Sequence, residues 1–171
     1  MTSVLGIAIP STSPLFLAAV GFHVLAGLAS VVSGGGAMFA TKGAPRHLAF
    51  GTAYYWCLAA VFASAGGLAM ARWAEDYRLF VLGAAAFAAA TLGRMAARRK
   101  WRAWPGLHIA GMGSSYILML TAFYVDNGKN LPLWRDLPPV AYWTLSAAVG
   151  LPLMAWALLR HPLVRRLRAA R

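Results

Sequence analysis

Residues 15–40, LFLAAVGFHVLAGLASVVSGGGAMFA, form a long apolar run without a charged residue. As a helix rising about 1.5 Å per residue, this run exceeds the roughly 30 Å hydrocarbon core of a bilayer. Apolar side chains occupy all sides of the helix instead of one stripe, which is typical of a helix in lipid. The run therefore predicts a transmembrane helix.

Four further stretches are long and apolar enough to span a membrane. They are residues 49–71, 79–97, 107–125 and 140–159. The chain has 171 residues, of which 60% are hydrophobic and only 12% are charged, whereas soluble domains carry about 25% charged residues. We therefore predict an all-α polytopic bundle of five transmembrane helices over residues 15–159, with a short N-terminus (1–14) and a basic tail (160–171).

Short polar or proline-containing segments separate these stretches. Ser13-Pro14 is typical of a helix cap followed by a first-turn proline. Turn signals stand at residues 42–45, 104–106, 126–128 and 138–139. The sequence thus predicts short connections between successive spans.

The basic residues predict the orientation of the chain. Alternate connections place 12 of the 16 lysines and arginines on one side, and all four acidic residues fall on the other. By the positive-inside rule the N-terminus is outside and the C-terminus is cytoplasmic, which predicts a multi-pass protein of a bacterial inner membrane.

The net charge of +12 does not require a nucleic acid partner. Basic residues at the cytoplasmic ends of helices contact anionic lipid head groups, and no nucleic acid recognition motif accompanies them. We therefore expect anionic lipids as partners, and no nucleic acid.

The histidines are the candidate residues for a chemical function inside the membrane. No aspartate or glutamate lies within a span, which argues against a carboxylate-based proton pump and against a classical hydrolytic enzyme. His23, His47 and His108 are each followed one turn later by a glycine on the same face. Small residues let helices approach closely in lipid, so we expect the three histidines to point inward, together with Gly27, Ser30 and Gly34 on the face of His23.

The positions of His47 and His108, both at the cytoplasmic start of a helix, predict a shared cofactor. The pair can hold one haem b iron for electron transfer, with Gly51 and Gly111 leaving room for the ring and Arg46, Arg98 or Arg102 meeting a propionate. A zinc site is disfavoured because a third ligand is lacking. Structural hydrogen bonds by the same histidines are the alternative interpretation.

Two other functions stay open on the sequence alone. Glycine-lined helix faces also suit an accessory or assembly subunit of a membrane complex, or a homodimer. A carrier of a small molecule would instead need a polar cavity, for which the candidate lining residues are His23, Ser30, Tyr54, Tyr55 and Ser115.

The histidine segments resemble a family of predicted bacterial membrane proteins known as a domain of unknown function. The resemblance extends over about residues 20–125 and is carried by four short motifs. These are His23-x3-Gly27, Lys42-Gly43-x3-His47-x3-Gly51-x2-Tyr54, His108-x2-Gly111-Met112-x3-Tyr116 and Thr121-Ala122-Phe123. It implies a small inner-membrane protein in which the histidines matter, and it supplies no substrate.

Overall fold

The computed structural model describes residues 2–4, 7–9, 13–71, 73–162 and 164–165. These described residues form five long helices, each long and apolar enough to cross a membrane. They are α1 (Pro14–Phe39), α2 (Pro45–Ala71), α3 (Trp73–Arg99), α4 (Trp104–Asn127) and α5 (Pro139–Arg160). Two three-residue strands, β1 (Thr2–Val4) and β2 (Ile7–Ile9), pair antiparallel before α1, and a 3-10 turn, Gly128–Asn130, follows α4. The predicted all-α fold with five spanning helices is confirmed.

The start of α1 agrees with the sequence prediction. Ser13 is the N-cap, and its side chain accepts a hydrogen bond of 3.2 Å from the backbone N–H of Phe16. Pro14 occupies the first turn, where its missing N–H costs nothing because the first N–H groups of a helix have no helical acceptor.

Several predicted boundaries are wrong, since α2 already begins at Pro45 and α4 continues to Asn127. Residues 104–106 were expected to form a turn, but they are the first turn of α4, because a proline is well tolerated there. The connection expected at residues 72–78 is also too long, since α3 begins at Trp73 and carries Glu75 and Asp76 in its first turn. Acidic side chains stabilise this end of a helix. Of the predicted connecting residues, Arg72 lies outside the described residues.

The first compact unit, Met1–Val81, is built on the packing of α1 against α2. Small residues of α1, Ser30, Ser33 and Gly34, are buried. A Cβ added to Gly36 would lie 2.9 Å from the Phe50 ring, so this glycine lets an aromatic side chain seat against the α1 backbone. The expectation that the small-residue face of the first helix turns inward is confirmed.

Glycines permit close helix contacts in the second compact unit, Leu82–Arg171. The backbones of Gly93 in α3 and Gly111 in α4 touch, since a Cβ on Gly111 would lie 2.7 Å from the Cα of Gly93. On α5, Gly150 receives the side chain of Ile117 from α4. Close backbone contact at glycines is a characteristic way for helices to pack in lipid.

Many large apolar side chains are exposed on the outside of the helices. Phe39 and Leu15 are 93% and 83% exposed, and Val32 is 70% exposed. Exposed apolar surface of this extent is unfavourable in water and is the normal condition of a helix surrounded by lipid. The surface therefore agrees with a multi-pass membrane protein. Of the predicted basic tail, the arginines at 166, 168 and 171 lie outside the described residues.

Candidate functional site

His47 connects the beginning of α2 to the end of α1. Its ring nitrogen Nδ1 lies 2.9 Å from the carbonyl oxygen of Ala37. The last helical hydrogen bond of α1 runs from the N–H of Ala40 to the carbonyl oxygen of Gly36. The carbonyl of Ala37, one residue further along, is therefore one of the end carbonyls that the helix itself does not satisfy. His47 therefore satisfies an end-of-helix carbonyl.

Lys42 bonds to the same end of α1. Its ammonium group donates to the carbonyl oxygens of Ala37 and Met38, at 3.0 and 2.6 Å. A cation at a helix C-terminus is favourable because the carbonyls there carry partial negative charge. Partial burial, which disfavours the charged form, lowers the pKa of Lys42 below its usual value.

His108 connects α4 to α3 in a comparable way. Its Nδ1 lies 3.1 Å from the carbonyl oxygen of Gly93. Gly93 lies within the last two turns of α3, so this bond is made to a carbonyl inside a helix. The contact of Gly93 with Gly111 brings the two backbones close enough for the imidazole to reach.

His23 makes its contact between the middle parts of α1 and α2. Its Nδ1 lies 2.9 Å from the hydroxyl oxygen of Ser64. The Ser64 hydroxyl also lies 2.7 Å from the carbonyl oxygen of Ala60 and 3.0 Å from that of Val61. His23 Nδ1 donates to the Ser64 oxygen when it carries the proton and accepts from the hydroxyl when it does not.

The carbonyl contacts fix the tautomer of His47 and His108. A carbonyl oxygen can only accept, so Nδ1 is the protonated nitrogen in both of these rings. In the neutral imidazole the lone pair is then on Nε2. Histidines that bind metals or haem iron through Nε2 usually donate Nδ1–H to a backbone carbonyl or carboxylate in this manner.

The predicted cofactor pair is divided between the two compact units. His47 belongs to Met1–Val81 and His108 to Leu82–Arg171. That the two imidazoles share one iron stays a prediction.

The two glycines expected to leave room for a ring differ. At Gly51 an added Cβ would meet no atom within 4 Å, so space is open beside His47. At Gly111 the corresponding space is filled by α3, with the carbonyl oxygen of Ala89 at 2.7 Å. Gly111 therefore serves helix packing, and the expectation of room for a ring on that side of it is wrong. Arg46 is exposed at the start of α2.

The residues expected to line a polar cavity are mostly buried. Ser30 and Ser115 are fully buried, and Tyr54 is 2% exposed. The two serine hydroxyls donate within their own helices, to the carbonyls of Ala26 and Met112 at 2.9 and 2.8 Å. Tyr55 is half-buried and its ring meets the edge of the Trp56 ring. His23, Ser30 and the two tyrosines belong to the first unit and Ser115 to the second.

Within the described part of the chain, no group of three or more histidine, cysteine, aspartate or glutamate side chains is placed to hold a metal ion.

The α1–α2 and α3–α4 hairpins share a spacing of histidine and tyrosine. His47-Leu48-Ala49 is followed at Tyr55 by a tyrosine, and His108-Ile109-Ala110 is followed at the same distance by Tyr116. Both histidines begin the second helix of a hairpin, which is α1–α2 in one case and α3–α4 in the other. This spacing could have predicted that both imidazoles bond to the preceding helix. Ser64, the partner of His23, has no such signal.

A shallow groove runs along one side of the α3–α4 pair in the second unit. The volume of the groove is about 290 Å³. Its lining is largely apolar and consists of Ala89, Leu92, Trp101, Leu107, Ala110, Gly111 and Ser114. The sequence did not indicate this groove, because its residues come from two helices and the turn between them.

Comparisons of the chain with protein family models, with curated proteins and with solved structures find no match. The resemblance to a membrane family of unknown function thus stays a prediction.

Proposed function

We propose that this chain is a membrane redox protein that binds haem b, with His47 and His108 as iron ligands. The observation that supports the proposal is the Nδ1–H bond of each imidazole to a backbone carbonyl, which places the lone pair on Nε2. Haem b, when bound, supplies one-electron transfer at its iron. The donor set is chemically suited to that group.

The residues of this chain would orient the ligands and adjust their basicity. The Ala37 and Gly93 carbonyls hold the two rings and, by accepting Nδ1–H, make Nε2 a stronger donor to iron. The open space at Gly51 favours a flat group beside His47. Arg46, exposed next to it, suits a propionate by charge.

We also propose a location in a bacterial inner membrane, with the N-terminus outside and the C-terminus cytoplasmic. The unequal distribution of basic residues supports this orientation. A fluorescent protein fused after residue 171 should fluoresce, and a periplasmic phosphatase fused there should be inactive. An active phosphatase fusion would contradict the orientation.

An absorption spectrum of the purified protein tests haem binding. Protein from haem-replete cells should show a Soret band, and this band should be lost or shifted in His47→Ala and in His108→Ala. The variant His161→Ala, at the end of α5, is the matched control and should keep the wild-type spectrum. A low-spin spectrum would indicate two nitrogen ligands on one iron, and a high-spin spectrum a single one.

Rescue separates loss of a ligand from loss of folding. In His47→Gly and His108→Gly, free imidazole added to the folded variant should restore the Soret band. A wild-type protein that is folded, monodisperse and colourless after haem supply would overturn the proposal.

A further inference from the structure

The groove on the α3–α4 pair opens next to a strongly basic turn. Trp101 lines the groove and lies within the basic sequence Arg99-Lys100-Trp101-Arg102. Together with Arg98, four basic residues therefore stand within three positions of a groove-lining side chain. All four are exposed.

The acidic residues of the two helices, Glu75 and Asp76 in α3 and Asp126 in α4, all stand at the helix ends away from this turn. Residues 77–125 contain no aspartate or glutamate. The acidic residues of α3, Glu75 and Asp76, stand in its first turn, at the other end of a helix of 27 residues. At 1.5 Å per residue they lie more than about 30 Å along the helix from Arg98 and Arg99.

The turn itself has a defined conformation. Lys100 has a φ of 51°, which is the left-handed region that non-glycine residues seldom adopt. This conformation places its ammonium group 4.1 Å from the centroid of the Trp104 ring, a cation–π contact at the beginning of α4. The Lys100 side chain is thus held at the same turn that carries the groove-lining residue Trp101.

We infer that this groove is a binding site for one anionic phospholipid. The acyl chain lies in the apolar groove along Leu92, Leu107 and Ala110, and the phosphate meets Arg98, Arg99, Lys100 and Arg102. Charge complementarity identifies the occupant, because a neutral lipid would satisfy the apolar groove and leave the basic turn without a counter-ion. Basic sites between helices at the membrane surface bind anionic head groups in this way. The inference does not depend on haem binding.

Matched substitutions separate the acyl chain from the head group. Ala110→Trp fills the groove, and Ala148→Trp places the same side chain on an exposed position of α5 as a control. Arg99→Gln with Arg102→Gln removes two charges at the turn. Arg160→Gln with Arg165→Gln removes two exposed charges at the end of α5 as a control.

Native mass spectrometry of protein reconstituted in mixed phosphatidylglycerol and phosphatidylcholine measures the retained lipid. Wild type should retain one phosphatidylglycerol in preference to phosphatidylcholine. Ala110→Trp should lower this retention about tenfold by removing acyl contacts. The double variant at the turn should lower the preference for phosphatidylglycerol about tenfold. Both controls should behave as wild type.

Fluorescence locates the retained lipid. Brominated phosphatidylglycerol should quench the protein more than brominated phosphatidylcholine, and this difference should disappear in Trp101→Phe, which keeps an aromatic ring in the groove. Equal retention of both lipids by wild type, wild-type retention by Ala110→Trp, an equal loss in the two double variants, or an unchanged quenching difference in Trp101→Phe would each overturn the inference.

Discussion

In each of the two hairpins a histidine bonds to a backbone carbonyl of the preceding helix, but the two carbonyls lie in different surroundings. In α1–α2, His47 bonds to the Ala37 carbonyl at the end of a helix, and Lys42 bonds to the same oxygen. In α3–α4, His108 bonds to the Gly93 carbonyl inside a helix, next to a contact between two glycine backbones. The first arrangement caps a helix, and the second fixes two helices side by side.

The glycine that follows each histidine by about one turn has a different role in the two hairpins. Gly51, one turn after His47, has open space where a side chain would be, whereas the backbone of α3 occupies that space at Gly111. A glycine about one helical turn after a histidine therefore serves packing in one hairpin and leaves a free surface in the other.

The largest expected effect distinguishes these two glycines. Gly111→Ala should destabilise the protein by about 1–3 kcal/mol or more, because its methyl group meets the backbone of Gly93 and Ala89, which cannot rotate away. Gly51→Ala should stabilise the protein by up to about 1 kcal/mol through better helix propensity. Unfolding by SDS titration in mixed micelles measures both free energies. Equal changes in the free energy of unfolding for the two variants would contradict the different roles of Gly51 and Gly111.

A smaller effect concerns the shared acceptor in the first hairpin. His47→Ala and Lys42→Met should each cost about 1 kcal/mol or less, because the Ala37 carbonyl keeps one donor in either variant. The double variant leaves a carbonyl without a side-chain donor, so its cost should exceed the sum of the single costs by about 0.5 kcal/mol or more. The same titration provides the double-mutant cycle, and strict additivity would contradict a shared acceptor.

The smallest effect is the titration of Lys42. Its lowered pKa means that the unfolded chain binds more protons in the interval below the ordinary value of 10.5, so this residue adds stability as the pH rises through that interval. After reductive methylation with ¹³C, the Lys42 signal should titrate at a lower pH in the folded protein than in the SDS-unfolded protein. Lys42→Arg assigns the signal. Identical titration in both states would rule out the burial of this amine.

Hydropathy was sufficient to predict the five helices, because a membrane requires long apolar segments whatever their partners. Helix starts at Trp73 and Trp104 were missed, since polar residues and a proline fit a first turn as well as a connection. The inward position of Ser30 followed from the small-residue spacing. The contact between Gly93 and Gly111 could not be predicted from the spacing, because it depends on which helices pack together.

The tautomer of the histidines tests the account most directly, since both the helix contacts and the proposed haem ligation require it. Solid-state ¹⁵N NMR of the haem-free protein in bilayers at about pH 8, where imidazoles are mainly neutral, reports which ring nitrogen carries the proton. Signals assigned by His47→Gln and His108→Gln should show protonated Nδ1 and unprotonated Nε2 in both rings. Protonated Nε2 with unprotonated Nδ1 in either ring would contradict the account.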